Sequence, residues 1–502
     1  MIGNNCAMNS NPPLRHWPTF VVAAASGLAA LIIVVGTLVF TWRGTTSVMI
    51  SDGWGYAETF LLPYFEGRLN GLDFIARPFG ADHSLPVQKA LLLVYARWFD
   101  LDYLAEAMAG LIFAALFVAL VWWLVREDVC GRPRAALASA LSLLGLTVAS
   151  FTMNDRGVYD WSMATINFIY PLGLALFLSF VRHCLLNERY ALLCFGAFCA
   201  AMLMDTVATL ACGGICILVI LYTLRPVRRW GVCIRALAAI VAALAAHAAV
   251  FALAFHDARS AHVSVRLAYL AQHAGEAWKA IVIPTGGVLV SPNRIAEILD
   301  PGWRWFFLLP SAVFVCIGHV VFWHLFARHR QRRSAFVAAG LMLFVYATIA
   351  GMVWVRVPVF GFDYLMQPRY FVYYDLQIAA FVMAGALEMA YPQDGRVQVW
   401  TAVYGGTVAA LAASALLALF QYQSVVPYLR AYDRKLAQQI EAMAHDPGYV
   451  PADCPVYHLL GCTWSEPRRR AVLELLQREH LNVFSERYRA RHGLPPLSEA
   501  TR

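Results

Sequence analysis

The sequence predicts an all-α polytopic integral membrane protein of about eleven transmembrane helices, and three observations predict it. Of its 502 residues 60% are apolar and only 14% charged. A typical soluble protein carries roughly 25% charged residues, so this chain cannot clothe an ordinary globular surface. The mean hydropathy is +0.58. Apolar runs of about 20 residues, the length that crosses a bilayer core, recur along the chain. This balance excludes a cytosolic enzyme, a secreted domain and a nucleic-acid binder. The net charge of +8 serves membrane topology instead.

Spans are expected near 20–42, 103–125, 135–152, 161–181, 231–255, 305–327, 335–355, 370–391 and 399–421. The first is too long for a signal-peptide core and only Arg15 precedes it, so it reads as an uncleaved span. The run from Tyr190 to Leu224 is interrupted by Asp205. As one straight helix it would be about 50 Å long, well beyond a core of about 30 Å. Two short spans meeting near Asp205 fit better, and Asp205, just before Thr206, is suited to cap the second. Charge parity favours the same division. With two spans, the loops holding Arg126, Arg132 and Arg134, Arg182 and Arg189, Arg225, Arg228 and Arg229, Arg328, Arg330, Arg332 and Arg333, and Arg396 all lie on one face. The expected topology has the N-terminus cytoplasmic and the C-terminus extracytoplasmic. It divides the chain into a polytopic membrane domain, 1–421, with outer loops near 43–102 and 256–304, and a C-terminal extracytoplasmic helical tail, 422–502.

The first outer loop holds seven acids (Asp52, Glu58, Glu66, Asp73, Asp82, Asp100, Asp102) against five bases. Gly and Pro break it repeatedly, and the short apolar pieces between breaks, such as Ala90 to Phe99, suit interfacial helices. A single acid in such a loop is usually just solvated. Asp52 and the Asp82-His83 pair stand out because each adjoins a helix-like segment. In the second outer loop an amphipathic helix is expected, followed by turns at Pro284-Thr285-Gly286-Gly287 and Ser291-Pro292-Asn293-Arg294. No Gly-rich phosphate loop lies on the inner face.

The short outer turn at 356–376 brings Arg356, Asp363 and Arg369 beside the last two spans but one. Pro368 disfavours helix at Gln367, so the span is expected to start at Arg369. An isolated arginine here commonly snorkels to lipid phosphates; the functional reading is bidentate capture of one specific phosphate. Asp375, inside that span, should face protein or a wet cavity because a carboxylate in lipid is costly. In the tail, helices are expected near 429–445 and 467–490. Most of the eleven cysteines fall in spans and read as small apolar residues. Cys454 and Cys462 alone fall in the expected oxidising compartment, where Pro455 and Gly461 allow a turn that joins them as a disulfide.

An odd number of spans, a cytoplasmic start and a long acidic first outer loop with interfacial pieces resemble the C-type glycosyltransferases, polytopic enzymes that take a sugar from a polyprenyl-phosphate carrier. The resemblance covers roughly 1–421 and lies in architecture more than in sequence. It implies that Asp52, soon after the first span, is the base or a metal ligand. Uncharacterised bacterial relatives carry an Asn-Glu-His-Arg-like motif at the end of the first loop; here Ala81-Asp82-His83-Ser84 keeps an acid and the histidine. They also open a late span with Arg-Tyr, as Arg369-Tyr370 does here. The resemblance thus implies Asp52, Asp82 and His83 as catalytic residues, able together to hold a divalent metal, and Arg369, Arg356 and Tyr370 as the lipid-phosphate site. It implies an enzyme of the bacterial inner membrane that moves a sugar from polyprenyl phosphate to a glycan, lipid or protein acceptor on the outer face. A secondary transporter or lipid flippase, served by Asp205 and Asp375 near broken helices, or a non-catalytic envelope protein, are the other readings.

Overall fold

The computed structural model describes residues 17–76, 84–132, 134–151, 153–159, 163–223, 229–254, 263–392 and 397–495. Asp82 and His83 lie outside them. The described residues form helices and turns with no strand. Nine helices among them are long and apolar enough to cross a membrane, and two shorter apolar ones run beside them. In chain order the bundle is α1 (Trp17–Gly44), α2 (Tyr103–Val129), α3 (Ala135–Ser150), α4 (Ala164–Leu186), α5 (Tyr190–Met204), α6 (Thr206–Thr223), α7 (Trp230–Ala254), α8 (Arg304–His329), α9 (Arg333–Val355), α10 (Pro368–Ala390) and α11 (Val397–Gln423). The fold class is the one the sequence implies: an all-α, multi-pass membrane protein.

The Tyr190–Leu224 run reverses direction at Asp205. This residue adopts a positive φ of 42°, a conformation that ends α5 because most L side chains avoid it. Glu188, just before α5, pairs with Arg235 near the start of α7 at 3.4 Å. Asp205, at the far end of α5, pairs with His247 further along α7, also at 3.4 Å. α5 and α7 therefore run parallel, and α6 between them must run back. Its last residue, Thr223, accepts a backbone hydrogen bond from Arg229 beside the start of α7. Asp205 also reaches outside its own hairpin, since its carboxylate accepts from the Ser84 amide at 2.5 Å.

Local chemistry sets the helix ends. Asp102 caps α2 by accepting from the Leu104 amide at 2.9 Å. α10 begins at Pro368 rather than Arg369, with Gln367 extended before it; proline fits the first helical position because the amide it lacks has no partner there. The expected turn at 284–287 is corrected. Pro284, Thr285 and Gly286 belong to a helix, Lys279–Gly286, because Gly286 packs against the α8 backbone, where a Cβ would stand 2.4 Å from the Leu308 carbonyl oxygen. Ser291 caps a short helix, Pro292–Ile298, through the Asn293 and Arg294 amides.

The tail supplies helices Val426–His445, Glu466–Arg478 and Glu486–His492. The single helix expected near 467–490 is interrupted because Asn482 leaves it to bind another part of the chain. Fully buried and at positive φ, Asn482 donates its side-chain amide to the Ser47 and Leu101 carbonyls at 3.0 and 2.7 Å. Its Oδ1 accepts from Met49 at 2.9 Å, and its own backbone amide donates to Asp100 at 2.6 Å. One asparagine thus pins the tail to both ends of the first loop. Arg491 adds an ion pair with Asp102 at 3.0 Å, and Asp433 accepts from the Ser47 amide at 3.0 Å. Burial raises the pKa of both carboxyls.

Candidate functional site

A cavity of about 1260 Å³ opens at the end of the bundle where the long loops and the tail gather. Its helical wall is largely apolar, built by Ile166, Val207, Leu210, Met352 and Val355 from α4, α6 and α9, with Asn167, Tyr170 and Thr348 among them. The α5–α6 turn delivers Met204 and Thr206 to this wall, so the reversal at Asp205 is part of what shapes it. The rim is polar and charged: Asp52, Arg356, Asp363, Tyr364, Arg369, Tyr370, and from the tail His458 and Arg468.

Asp52 starts a short helix, Asp52–Tyr56, that continues through one π-helical turn, Ala57–Leu61. Just before it, Ser51 has φ 48° and ψ −126°, a backbone state of the kind that costs about 1–3 kcal/mol and persists only where surroundings enforce it. The surroundings are the tail. The Ser51 amide donates to the His458 carbonyl at 2.7 Å, and its hydroxyl donates to the Tyr457 carbonyl at 2.8 Å. Next to Asp52, Gly53 leaves no room for a side chain against the Tyr103 hydroxyl. Trp54 is buried and donates its indole N–H to the Met49 carbonyl at 3.0 Å. The Asp52 carboxylate, about half exposed, looks into the cavity. Burial first, and then the Asp52 charge, push the pKa of the buried Tyr56 hydroxyl up.

Facing Asp52 is Arg369 at the first turn of α10, Nη1 to Oδ2 3.8 Å. Its other Nη donates to the Tyr364 hydroxyl at 2.5 Å, and the guanidinium lies 5.2 Å from the Tyr370 ring centre, a range in which the ring face attracts a cation. All three of the other expected site residues among those described, Arg356, Arg369 and Tyr370, thus line one cavity with Asp52, although the sequence separates them from it by some three hundred positions. Among the described residues no three His, Cys, Asp or Glu side chains gather in a way that could hold a metal ion.

Apart from the expected disulfide, the tail contributions escaped sequence reading. Arg468 grips Glu58 through two contacts, 2.5 and 2.6 Å, and stacks 3.9 Å over the Trp464 ring; Trp464 meets Trp54 edge-on with ring centres 6.0 Å apart. The disulfide expected between Cys454 and Cys462 is present, Cα atoms 6.6 Å apart, and closes the loop that carries Tyr457 and His458. The only signal in the sequence was the concentration of tryptophan and arginine at 464–470. Arg294 donates to the Gln421 side-chain oxygen at 3.2 Å. Asp375 lines a separate, minute space of about 10 Å³ between α2, α3, α4 and α10.

Comparison with protein-family models, with curated proteins and with solved structures finds no match to this chain.

Proposed function

We propose that this protein is a membrane glycosyltransferase that moves a sugar from a polyprenyl-phosphate carrier to an envelope acceptor. The observation that carries the reading is the pairing of a half-exposed carboxylate, Asp52, with Arg369 beside a large cavity that joins a largely apolar helical wall to a charged rim. An amphiphilic donor matches that division: the polyprenyl chain against the α4, α6 and α9 wall, the phosphate at the arginines. On the arginine-loop argument this rim faces the extracytoplasmic side of a bacterial inner membrane.

The chemistry asks little of the protein. Asp52 accepts the proton of the acceptor hydroxyl as that oxygen attacks the anomeric carbon. The bond from the anomeric carbon to the phosphate oxygen breaks, and the polyprenyl phosphate leaves with the electron pair. Phosphate is already a good leaving group, so no general acid is needed; Arg369 and Arg356 stabilise the charge that develops on it. Arg369 exchanges its long contact with Asp52 for the departing phosphate, which leaves the carboxylate free to take the proton.

A carrier reading draws on Asp205 and Asp375, but the former is paired with His247 and the Ser84 amide and the latter lines a different space. The deciding assay is transfer of labelled sugar from polyprenyl phosphate to membrane acceptors by the protein in vesicles. Formation of a glycosidic bond that depends on Asp52 supports the proposal. Movement of the lipid across the bilayer with no glycosidic bond formed rejects it.

A further inference from the structure

We infer that the tail is a working half of the site: its disulfide-closed loop, 454–462, acts through Ser51 to hold Asp52 in position. The role assigned to Asp52 rests on the transferase reading; the mechanical coupling does not. Ser51 immediately precedes the helical segment that carries Asp52, and Trp54 and Glu58 lie on it. The tail grips all three. The loop carbonyls of Tyr457 and His458 hold Ser51. Gly461, where a Cβ would stand 2.6 Å from the ring, lies flush on Trp54, with Trp464 edge-on beside it. Arg468 holds Glu58 by two contacts.

The strained backbone at Ser51 makes the first of these grips decisive. Positive φ at a serine relaxes when the contacts that enforce it weaken, and Asp52 is the next residue, so its carboxylate turns with that relaxation. Within the loop the one regular element is a 3-10 turn, Leu460–Thr463, which begins after the two carbonyls that hold Ser51. Leu459 and His458 donate to Pro455 at 2.9 and 2.8 Å, and the His458 ring meets the Tyr432 hydroxyl at 2.8 Å. The cross-link between Cys454 and Cys462 removes most of the freedom these few contacts leave. Ser51 and the cystine are therefore positioning elements, and Asp52 alone among them touches the reacting atoms.

The test compares the full-length protein in lipid nanodiscs before and after treatment with dithiothreitol. At Cys454–Cys462 two electrons and two protons convert the cystine to two thiols, and the reagent becomes its cyclic disulfide; Cys130 is also disulfide-bonded, so the double variant below separates the two reductions. Two readouts are followed, amide hydrogen exchange over 51–56 and transfer kinetics with a polyprenyl-phosphate sugar. On reduction, exchange at these amides rises about tenfold or more while the α9 and α10 cores keep their protection. In parallel kcat falls about tenfold and KM for the donor stays within about twofold, because Arg369 and Arg356 still hold the phosphate. Cys454→Ser/Cys462→Ser repeats this without reagent, and Cys316→Ser, which removes a free thiol on α8, changes neither readout. Ser51→Ala, which deletes only the hydroxyl, gives a smaller loss of kcat in the same direction and guards against a double variant that misfolds. Unchanged exchange at 51–56, or faster exchange with undiminished kcat in an active enzyme, overturns the inference. Faster exchange in a wild type that makes no glycosidic bond upholds the coupling and removes the transferase reading instead.

Discussion

The Glu388 cluster at one end of the helical bundle and the Asp52–Arg369 pair at the other handle charge in opposite ways. At the end away from the cavity the buried acid Glu388 is matched at close range. Glu388, 1% exposed, meets Arg328 at 3.2 Å and His329 at 2.8 Å. Asp128 accepts from the Ser334 amide and hydroxyl, both at 2.7 Å, and Arg132 and Arg332 lie about equally close to the Tyr391 ring, 4.2 and 4.3 Å from its centre. At the cavity end Asp52 and Arg369 stand 3.8 Å apart over open space. Charges matched tightly within a closed turn hold structure. A pair kept loose beside a cavity of about 1260 Å³ is placed for a ligand to enter between its members.

The sharpest way to break this contrast is at the closed end. Glu388→Ala leaves Arg328 and His329 beside a buried site with no counter-charge, a loss of the kind that costs about 3–5 kcal/mol. Thermal unfolding in detergent should show a large drop in midpoint, and transfer per folded molecule should stay at the wild-type rate. Lost transfer in well-folded Glu388→Ala protein would mean that this end also serves the chemistry.

Asp52→Asn should do the reverse. It keeps shape and hydrogen bonding but removes the proton acceptor, and a positioned general base is worth about 10²–10⁴-fold. Transfer should fall at least about a hundredfold. Stability should move by no more than about 1 kcal/mol, since a half-exposed, loosely paired carboxylate contributes little to folding. Undiminished transfer in this variant would remove the proposed base.

The same contrast explains what could be read from the sequence. Span positions were legible because each needs only a long apolar run, and the reversal at Asp205 was legible because an acid and a parity argument agreed. Asp52, Arg356, Arg369 and Tyr370 could be singled out because ionic and aromatic residues at span ends are conspicuous by type. That they converge was not legible, since it depends on how α9, α10 and the first loop pack. The roles of Arg468, Trp464 and Ser51 were hidden for a different reason: they arise from a carboxylate, a ring and backbone carbonyls some four hundred residues away, and the cluster at 464–470 does not say what it meets. The continuous tail helix expected near 467–490 failed on the same ground. Asn482 is a tolerable helix residue by type, and only its four bonds to distant backbone draw it out of the helix.

A smaller effect is expected from Arg369→Lys. The charge survives but the planar fork does not, so a phosphate is met by one rotatable ammonium instead of two parallel N–H donors. Binding of long-chain polyprenyl phosphate should weaken about tenfold, equal to roughly 1.4 kcal/mol, with little change in unfolding midpoint. Native mass spectrometry of the protein with the lipid at graded concentrations measures it. Equal affinity would mean that Arg369 serves packing against Tyr364 and Tyr370.

The smallest effect tests whether the cavity end buries any cation without a close carboxylate. Lys89 does so: its ammonium donates to the backbone carbonyls of Asp73 and Ala76 at 2.6 and 2.5 Å and lies 5.7 Å from the Phe60 ring centre. Burial lowers its pKa to about 8, against a smaller opposing pull from the Asp73 charge. Because the folded-state value is depressed, the unfolded chain holds this proton more tightly. Below about pH 8 both states are protonated and the cost of burying the charge is present in full. As pH rises from there toward the ordinary lysine value of 10.5, the folded protein sheds the proton first, and stability on this group's account increases. The slope cannot exceed about 1.4 kcal/mol per pH unit, and residual solvation of the ammonium keeps it below that. Lys89→Met retains the stem and removes the titration, so the wild type should gain stability relative to the variant between pH 7 and 10, read from unfolding midpoints at each pH. Curves that stay parallel would show that the two carbonyls compensate the ammonium as fully as Arg328 and His329 compensate Glu388, and the difference between the two ends would then rest on Asp52 and Arg369 alone.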